Sequence, residues 1–361
     1  MRIIHILGKI SENYTSGIAN HVIDLASYQK EDGHEVLLIS YLKKEDINDR
    51  YLNEFNGIPI INLEGKSGHD AAICKKLLSA IKAFKPDIVH YHTIPIIALL
   101  CHLHNRKYKI INTFHVIEFS KTHELVWRFF INGIICVSPS CLNSQNPDEK
   151  RFKKSLWTVV YNGINRKKFQ AANFNFASSP LRLIMVCRID KMKNPDHGVL
   201  VAKILNEIYG VPTQLTIVGN GEYEDDLREF IKRNACDKYI NLVGFSKNAE
   251  KYLANAHFFL LLSWWESFSL SALEALSCGV PVISYQIKGG FMDWFKDGLY
   301  GKIAKENSPE NVAEIIYALH RDQKSIQSMS KNGLQFAGEL DMKTKSREIV
   351  NFYKKVIERN V

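Results

Sequence analysis

Glu266 and Glu274 stand with seven residues between them in the run Trp265-Glu266-Ser267-Phe268-Ser269-Leu270-Ser271-Ala272-Leu273-Glu274-Ala275-Leu276-Ser277-Cys278-Gly279-Val280-Pro281-Val282. Were the interval helical it would rise roughly 12 Å, about the reach from the hexose to the ribose of a nucleotide sugar, so two carboxylates so spaced can grip both ends of one such ligand. The apolar run Phe258 to Leu262 just upstream predicts a strand with Glu266 at its carboxyl end. A helix starting near Ser269 would then aim free N–H groups and its positive dipole end at the same place, a good setting for phosphate or sugar oxygens. On this stretch alone a second reading stands beside the first: Ser271-x-x-Glu274 is also a capping box, with Glu266 merely an acid near a helix start.

Cationic groups occur at a comparable position. Cys187-Arg188-Ile189-Asp190-Lys191-Met192-Lys193-Asn194 follows the predicted strand Leu181 to Cys187. There the planar guanidinium of Arg188 and the point charge of Lys193 can neutralise a diphosphate leaving group, although a strand-end Arg or Lys is otherwise a solvated charge. In Ile217-Val218-Gly219-Asn220-Gly221 the glycines let backbone approach a ligand or turn tightly. Asn241-Leu242-Val243-Gly244-Phe245 ends a further strand, where Phe245 reads either as a contact for a base or as a core aromatic. His115 ends the strand Ile110 to Phe114, and His90 and His92 end the one before it; a histidine so placed can line a cleft or serve the core. No Asp-x-Asp ends a strand, so no metal site is expected beneath a diphosphate.

Taken in order, these pieces resemble the family-4 glycosyltransferases, which have the GT-B fold. The resemblance runs from about residue 1 to residue 350 and is densest from Leu181 to Val282. It implies that Glu266 and the backbone of Phe268, Ser269 and Leu270 hold hexose hydroxyls, and that Glu274 takes the ribose. It further implies that Arg188 and Lys193 hold the diphosphate, that Gly219 and Phe245 line the nucleotide, and that Gly17 presents its N–H to the diphosphate. His115 corresponds to the family's histidine near the sugar-phosphate. Departures from the family pattern are Cys187 for the glycine before Arg188, Ser16 for the first glycine of a pair, Val116 after His115, Tyr161 for a proline, and Asp293 for a glutamate in Gly289-Gly290-Phe291-Met292-Asp293. The implied activity is retaining, metal-independent transfer of a hexosyl or N-acetylhexosaminyl unit from a nucleotide-diphosphate sugar, UDP favoured, with no cofactor beyond that co-substrate. The implied acceptor is a saccharide or polyprenyl-diphosphate-linked saccharide in O-antigen, capsule or exopolysaccharide assembly.

The elements that must hold these residues follow from hydrophobic periodicity. Short Val- and Ile-rich runs alternate with longer amphipathic stretches, the pattern of an α/β protein with parallel sheets covered on both faces. One series occupies residues 1–165 and a second 181–340, with polar and small residues at 166–180 expected to link them. A last helix over 341–361 is expected to pack back toward the first domain. The expected architecture is two Rossmann-like doubly wound domains facing a cleft, with ligands at the carboxyl ends of the strands.

Composition narrows the alternatives. The 361 residues are 46% hydrophobic, enough for two cores, yet no apolar run reaches the ~18 residues of a membrane span, so a cytoplasmic protein is expected. Seven scattered cysteines without a C-x-x-C pair indicate buried thiols rather than a disulfide frame or zinc site. The net charge of +9 gathers at Arg106/Lys107/Lys109, Arg151/Lys153/Lys154 and Arg166/Lys167/Lys168, which suits a diphosphate, nucleic acid or an anionic membrane surface as partner. Trp127, Phe129 and Phe130 lie near the first two clusters and fit either peripheral membrane docking or core packing. A nucleotide-sugar epimerase or phosphorylase on the same scaffold is the alternative among enzymes, and a nicotinamide dehydrogenase lacks its G-x-G-x-x-G. A basic nucleic-acid-binding protein is the alternative from another class, and the chain holds no recognised module for it, so no nucleic acid is expected.

Overall fold

The structure is a computed structural model that describes residues 1–8, 16–43, 54–65, 71–92, 107–115, 130–144, 155–171 and 179–359. Arg106, Val116, Trp127, Phe129, Arg151, Lys153 and Lys154 lie outside these residues. The chain divides into two compact units, Met1–Gly163 with Met342–Val361, and Ile164–Asp341. The segment expected to link two domains therefore belongs, through residue 171, to the second unit: Phe169 is buried and its carbonyl accepts the Ser277 hydroxyl at 2.8 Å.

The first unit holds β1 (Arg2–Leu7), α1 (Gly17–Glu31), β2 (Glu35–Lys43), β3 (Glu54–Phe55), β4 (Ile58–Gly65), α2 (Ala71–Phe84), β5 (Ile88–Tyr91), β6 (Lys109–Phe114), β7 (Gly133–Cys136), α3 (Pro139–Ser144) and β8 (Leu156–Val159). Its sheet runs β3-β4-β2-β1-β5-β6-β7-β8, parallel except for the antiparallel edge pair β3/β4. Both faces are covered, so the strands are apolar on both sides. Ile4, Ile6, Leu37 and Val89 pack against Ile73, Leu77 and Ile81 of α2 on one face. Ile3, Ile88 and Ile111 meet Leu25 of α1 and Ile349, Phe352, Tyr353 and Val356 of the last helix, Met342–Glu358, on the other. That helix lies so close that a Cβ on Gly133 would come within 2.9 Å of the Phe352 and Val356 side chains. An ion pair from Arg347 to Asp32 (3.0 Å) adds little, since the guanidinium is largely exposed.

The strand period of two has a chemical consequence in this unit. Ile3 pairs with Ile88 and His5 with His90, so the face under α1 and the last helix begins with isoleucines and turns to histidines toward the carboxyl ends. His5, His90, His92, Thr113 and His115 make a buried polar layer, capped by Gln29 of α1 and by Tyr353. His90 Nδ1 lies 2.6 Å from the Tyr353 hydroxyl and Nε2 2.7 Å from the Thr113 hydroxyl. No carboxylate is among these partners, and burial lowers the His5 and His21 rings to about 4, His115 to about 3, and His90 and His92 well below their ordinary value. The layer is neutral.

The second unit is wholly parallel: β9 (Leu181–Val186), α4 (Pro195–Glu207), β10 (Thr213–Val218), α5 (Glu224–Arg233), β11 (Ile240–Gly244), α6 (Ala249–Leu253), β12 (Phe258–Leu261), α7 (Leu270–Ser277), β13 (Val282–Ser284), β14 (Gly301–Ile303), α8 (Pro309–His320) and α9 (Gln323–Glu339), before α10 (Met342–Glu358) returns to the first unit. Its strand order is β11-β10-β9-β12-β13-β14. Local chemistry sets the helix starts: Ser308 accepts from Asn311 N ahead of Pro309 in the first turn of α8, and Asp322 caps α9 through Ser325 N. Among the described residues no helix is long and apolar enough to cross a membrane.

The neutral histidine layer makes the first unit acid-sensitive. The unfolded chain takes up protons at these rings below about pH 6.5, where the folded unit does not. The stability contributed is therefore present above that pH and lost as pH falls toward 4, at up to about 1.4 kcal/mol per pH unit per ring. The protection factors of the β1 and β5 amides, corrected for the slower intrinsic exchange at lower pH, should fall between pH 7 and pH 5; protection unchanged over that range would contradict the neutral layer.

Candidate donor site in the second unit

Three loops at the carboxyl ends of the second sheet meet on Glu266. The carboxylate is buried (9% exposed), and its Oε1 accepts Lys193 Nζ at 2.6 Å and the Ser263 hydroxyl at 2.9 Å. Its backbone is held as well, Glu266 N donating to Lys288 O at 3.0 Å. A carboxylate so placed needs its cation, because the solvent that would otherwise stabilise the charge has been removed. Both hydrogen bonds fall on Oε1, which leaves Oε2 as the acceptor open to a ligand.

Lys193 reaches this position because of the loop that carries it. Asp190 is almost fully buried (4% exposed) and takes Lys193 N on Oδ1 at 3.1 Å and Arg188 Nε on Oδ2 at 2.5 Å. Asn194 then turns in the left-handed region (φ 50°) and donates Nδ2 to Leu262 O at 2.8 Å, tying the β9 loop to the β12 loop just before Pro195 opens α4. On the other side the loop rests on β10. At Gly219 (φ 141°) a Cβ would fall 1.8 Å from Cys187 O, and at Gly221 one would fall 2.2 Å from Ile189 O. Both glycines are required by close backbone approach between these loops, and Cys187, pushed up to about 12 by burial, is a packed thiol beneath them.

The helix α7 begins three residues after Ser267. Its N-cap is Ser269, held in the left-handed region (φ 66°) with no capping bond from its side chain, so Ser271 lies inside the helix and no Ser271/Glu274 capping box forms. The Ser269 hydroxyl is buried and has no partner among the described residues, which for a buried donor is uncommon and costly unless a ligand supplies one. Phe268 is core: its ring packs 5.4 Å from that of Trp294, whose Nε1 donates to Phe268 O at 2.8 Å. Leu270 opens the helix half-buried, and Glu274 follows one turn on, also half-buried. Phe245 is half-buried just after Gly244, whose φ of 78° turns the chain out of β11.

The remaining expected residues belong to the first unit. Gly17 is the first residue of α1, and Ser16, standing where the family has glycine, caps that helix by accepting Ala19 N at 3.1 Å. His115 is buried, its Nε2 3.1 Å from His92 Nδ1. His5, His90 and His92 are the one group of three among the described residues whose ligand atoms lie within 4.8 Å of one another, as a metal would need. All six of their ring nitrogens already sit within hydrogen-bond distance of a protein partner. The structure thus brings Glu266 and Lys193 together, directs Arg188 onto Asp190, and places Ser269 and Leu270 at the opening of the α7 helix. Asp190, Asn194 and Ser263 were not among the expected residues; an acid two positions after an arginine and an Asn-Pro pair before a helix were the signals for the first two.

Comparison with known proteins identifies the family. The profile described as Glycosyltransferase Family 4 matches residues 15–168, and that described as Glycosyl transferases group 1 matches residues 166–336. An alpha-monoglucosyldiacylglycerol synthase of Acholeplasma laidlawii is 25% identical over 95% of this chain and 94% of its own. An N-acetyl-alpha-D-glucosaminyl L-malate synthase of Bacillus anthracis is 25% identical over 92% of this chain and 91% of its own. Among solved structures, Anabaena HepE in complex with UDP-glucose superposes with a TM-score of 0.81 at 18% identity, covering 98% of this chain and 100% of that one. With both units doubly wound and the two profiles together spanning residues 15–336, the chain belongs to the family-4 glycosyltransferases of the GT-B fold.

Proposed function

We propose that this enzyme is a retaining, metal-independent transferase that moves a hexosyl or N-acetylhexosaminyl unit from a UDP-sugar to a saccharide or polyprenyl-diphosphate-linked saccharide at the inner face of an anionic membrane, in surface-polysaccharide assembly. The observation that carries the reading is the ion pair between half-buried Lys193 and buried Glu266, with the Ser269 hydroxyl at the start of α7 unpartnered among the described residues. Glu266 Oε2, the Ser269 hydroxyl and the amides of Phe268, Ser269 and Leu270 offer acceptors and donors for sugar hydroxyls, and Glu274 is assigned to the ribose. Lys193 and Arg188 oppose the charge that grows on the departing diphosphate, and Gly219 and Phe245 are assigned to the nucleotide. Gly17 and His115 keep the roles the family resemblance implies, the diphosphate and the sugar.

In the step proposed, the bond from the anomeric carbon to the diphosphate oxygen breaks and a bond from the same carbon to the acceptor oxygen forms on the same face. The acceptor's proton passes to the leaving diphosphate, so no protein carboxylate need act as nucleophile. With cations of the protein meeting the diphosphate, a divalent ion is not required. Relatives support the sugar class. The names of the Acholeplasma and Bacillus proteins carry an alpha linkage, which is the retained configuration when the donor is alpha-linked, and HepE binds UDP-glucose.

UDP-glucose or UDP-N-acetylglucosamine should raise the melting temperature where GDP- and ADP-sugars do not, and the product, read by proton NMR, should be alpha-linked and form equally in EDTA. A beta product, or activity restored only by added Mg2+, would overturn retention or metal independence respectively. Lys193→Met should lower kcat by about 100-fold or more, as for loss of one group that stabilises the transition state, with the circular dichroism unchanged; wild-type turnover in this variant would remove Lys193 from the site. Ser269→Ala should leave stability unchanged or raise it by up to about 1 kcal/mol, since a partnerless buried hydroxyl is deleted. It should weaken UDP-sugar binding by about fivefold in calorimetry, and an unchanged Kd would show that the hydroxyl does not meet the donor.

A further inference from the structure

A line of hydrogen bonds runs from His115 into the interior of the first unit. His115 Nε2 lies 3.1 Å from His92 Nδ1, His92 Nε2 lies 3.0 Å from His5 Nδ1, and His5 Nε2 lies 2.7 Å from Gln29 Oε1. All four side chains are buried, with exposures of 8%, 5%, 0% and 0% in that order. They come from three adjacent strands and a helix: His5 from β1, His92 from the end of β5, His115 from the end of β6, and Gln29 from α1. Nothing in the family resemblance assigns His5, His92 or Gln29 a role.

The chain admits few proton arrangements. A neutral imidazole carries one N–H and one lone pair, and burial among neutral or like-charged groups keeps these rings neutral, as their lowered pKa values indicate. At each nitrogen–nitrogen contact one ring must donate and the other accept. The choice made at one end therefore propagates to the other, leaving two arrangements: every proton directed toward Gln29, or every proton directed away from it. A Gln29 carbonyl facing His5 can only accept. His5 then carries its proton on Nε2, His92 on Nε2 and His115 on Nε2, and the lone pair of His115 Nδ1 is left over. Nδ1 has no hydrogen-bond partner among the described residues.

Resting on the transferase reading above, we propose that His92, His5 and Gln29 are positioning residues that fix the tautomer of His115, with its proton on Nε2 and the lone pair of Nδ1 offered to a hydroxyl of the bound sugar. An uncharged acceptor suits a hydroxyl and contributes no positive charge to the diphosphate, for which Lys193 and Arg188 serve. Holding the ring in one tautomer before the sugar arrives removes a reorganisation that the binding step would otherwise include.

The test reads the tautomer directly, on the full chain without substrate at neutral pH. Long-range 15N–1H spectra of protein labelled at histidine, with His115 identified by the signal lost in His115→Gln, should show a protonated Nε2 and an unprotonated Nδ1. Gln29→Met keeps the side-chain volume and removes the acceptor two rings away, so the His115 nitrogen shifts should move toward those of averaged tautomers. His92→Leu should have the same effect, and His92→Gln, which can still accept from His115 and donate to His5, should restore the wild-type pattern. A protonated Nδ1 in the wild type, or His115 shifts unmoved in both Gln29→Met and His92→Leu, would overturn the proposal. If either variant fails to fold, the wild-type spectrum and His92→Gln still decide it. In turnover with UDP-glucose, Gln29→Met should lower kcat about tenfold with circular dichroism unchanged. Because the spectra need no substrate, a fixed tautomer in a protein that binds no UDP-sugar would defeat the transferase reading alone.

Discussion

A carboxylate withdrawn almost entirely from water is tolerated only where a cation and hydrogen-bond donors meet it, and at Glu266 both fall on one oxygen. Much of the local architecture of the second unit follows from making that contact. Asp190 must be buried to turn the loop after β9 back on itself, Asn194 must take a left-handed turn to tie that loop to β12, and Gly219 must lack a side chain for the β10 loop to lie against Cys187. The ion pair holds the functional carboxylate in one orientation while its second oxygen remains open. A pair of this kind adds little net stability against an apolar alternative; its value lies in a defined geometry.

The first unit meets the same problem differently. The carboxyl ends of its strands also bear polar side chains on one face, yet the partners supplied by α1 and α10 are an amide and a phenol. Without a carboxylate to stabilise an imidazolium, the histidines settle into a neutral network whose ring nitrogens meet one another, an amide or a hydroxyl. Apolar strand starts and polar strand ends share one face because the parallel register sets His5 beside His90 just as it sets Ile3 beside Ile88. The same register that builds the core therefore assembles the polar layer, and the two cannot be altered independently.

Legibility from sequence followed the strength of local signals. Parallel strands such as β6, β9 and β12 announced themselves as apolar runs, and α7 as the helix that follows one of them. β4 and α2 drew no expectation, because Ile58–Gly65 and Ala71–Phe84 sit between charged and polar stretches that blur both periods. β14 is three residues long, too short for any pattern, and α9 carries Asn332 and Gly333 mid-helix, residues that argue locally against one. Gly333 is there for packing: a Cβ would meet the Leu276 side chain at 2.9 Å. Around the site, Glu266 and Lys193 were legible as a motif, whereas Ser263 is an ordinary residue whose part depends on how its own loop meets the loop after β9.

By itself the sequence determined the two α/β units, the parallel character of their sheets and the identity of the charged groups at the strand ends, because each of these is written in periods of two to four residues or in a contiguous motif. Tertiary structure alone decided that the Arg188 guanidinium meets Asp190, that the Ser269 hydroxyl has no partner among the described residues, and that four histidines and a glutamine from three strands and a helix become one buried polar layer. The physical reason is that burial and hydrogen-bond partnership are properties of the surroundings a side chain finds after folding. Those surroundings come from parts of the chain whose own residues say nothing about whom they will meet.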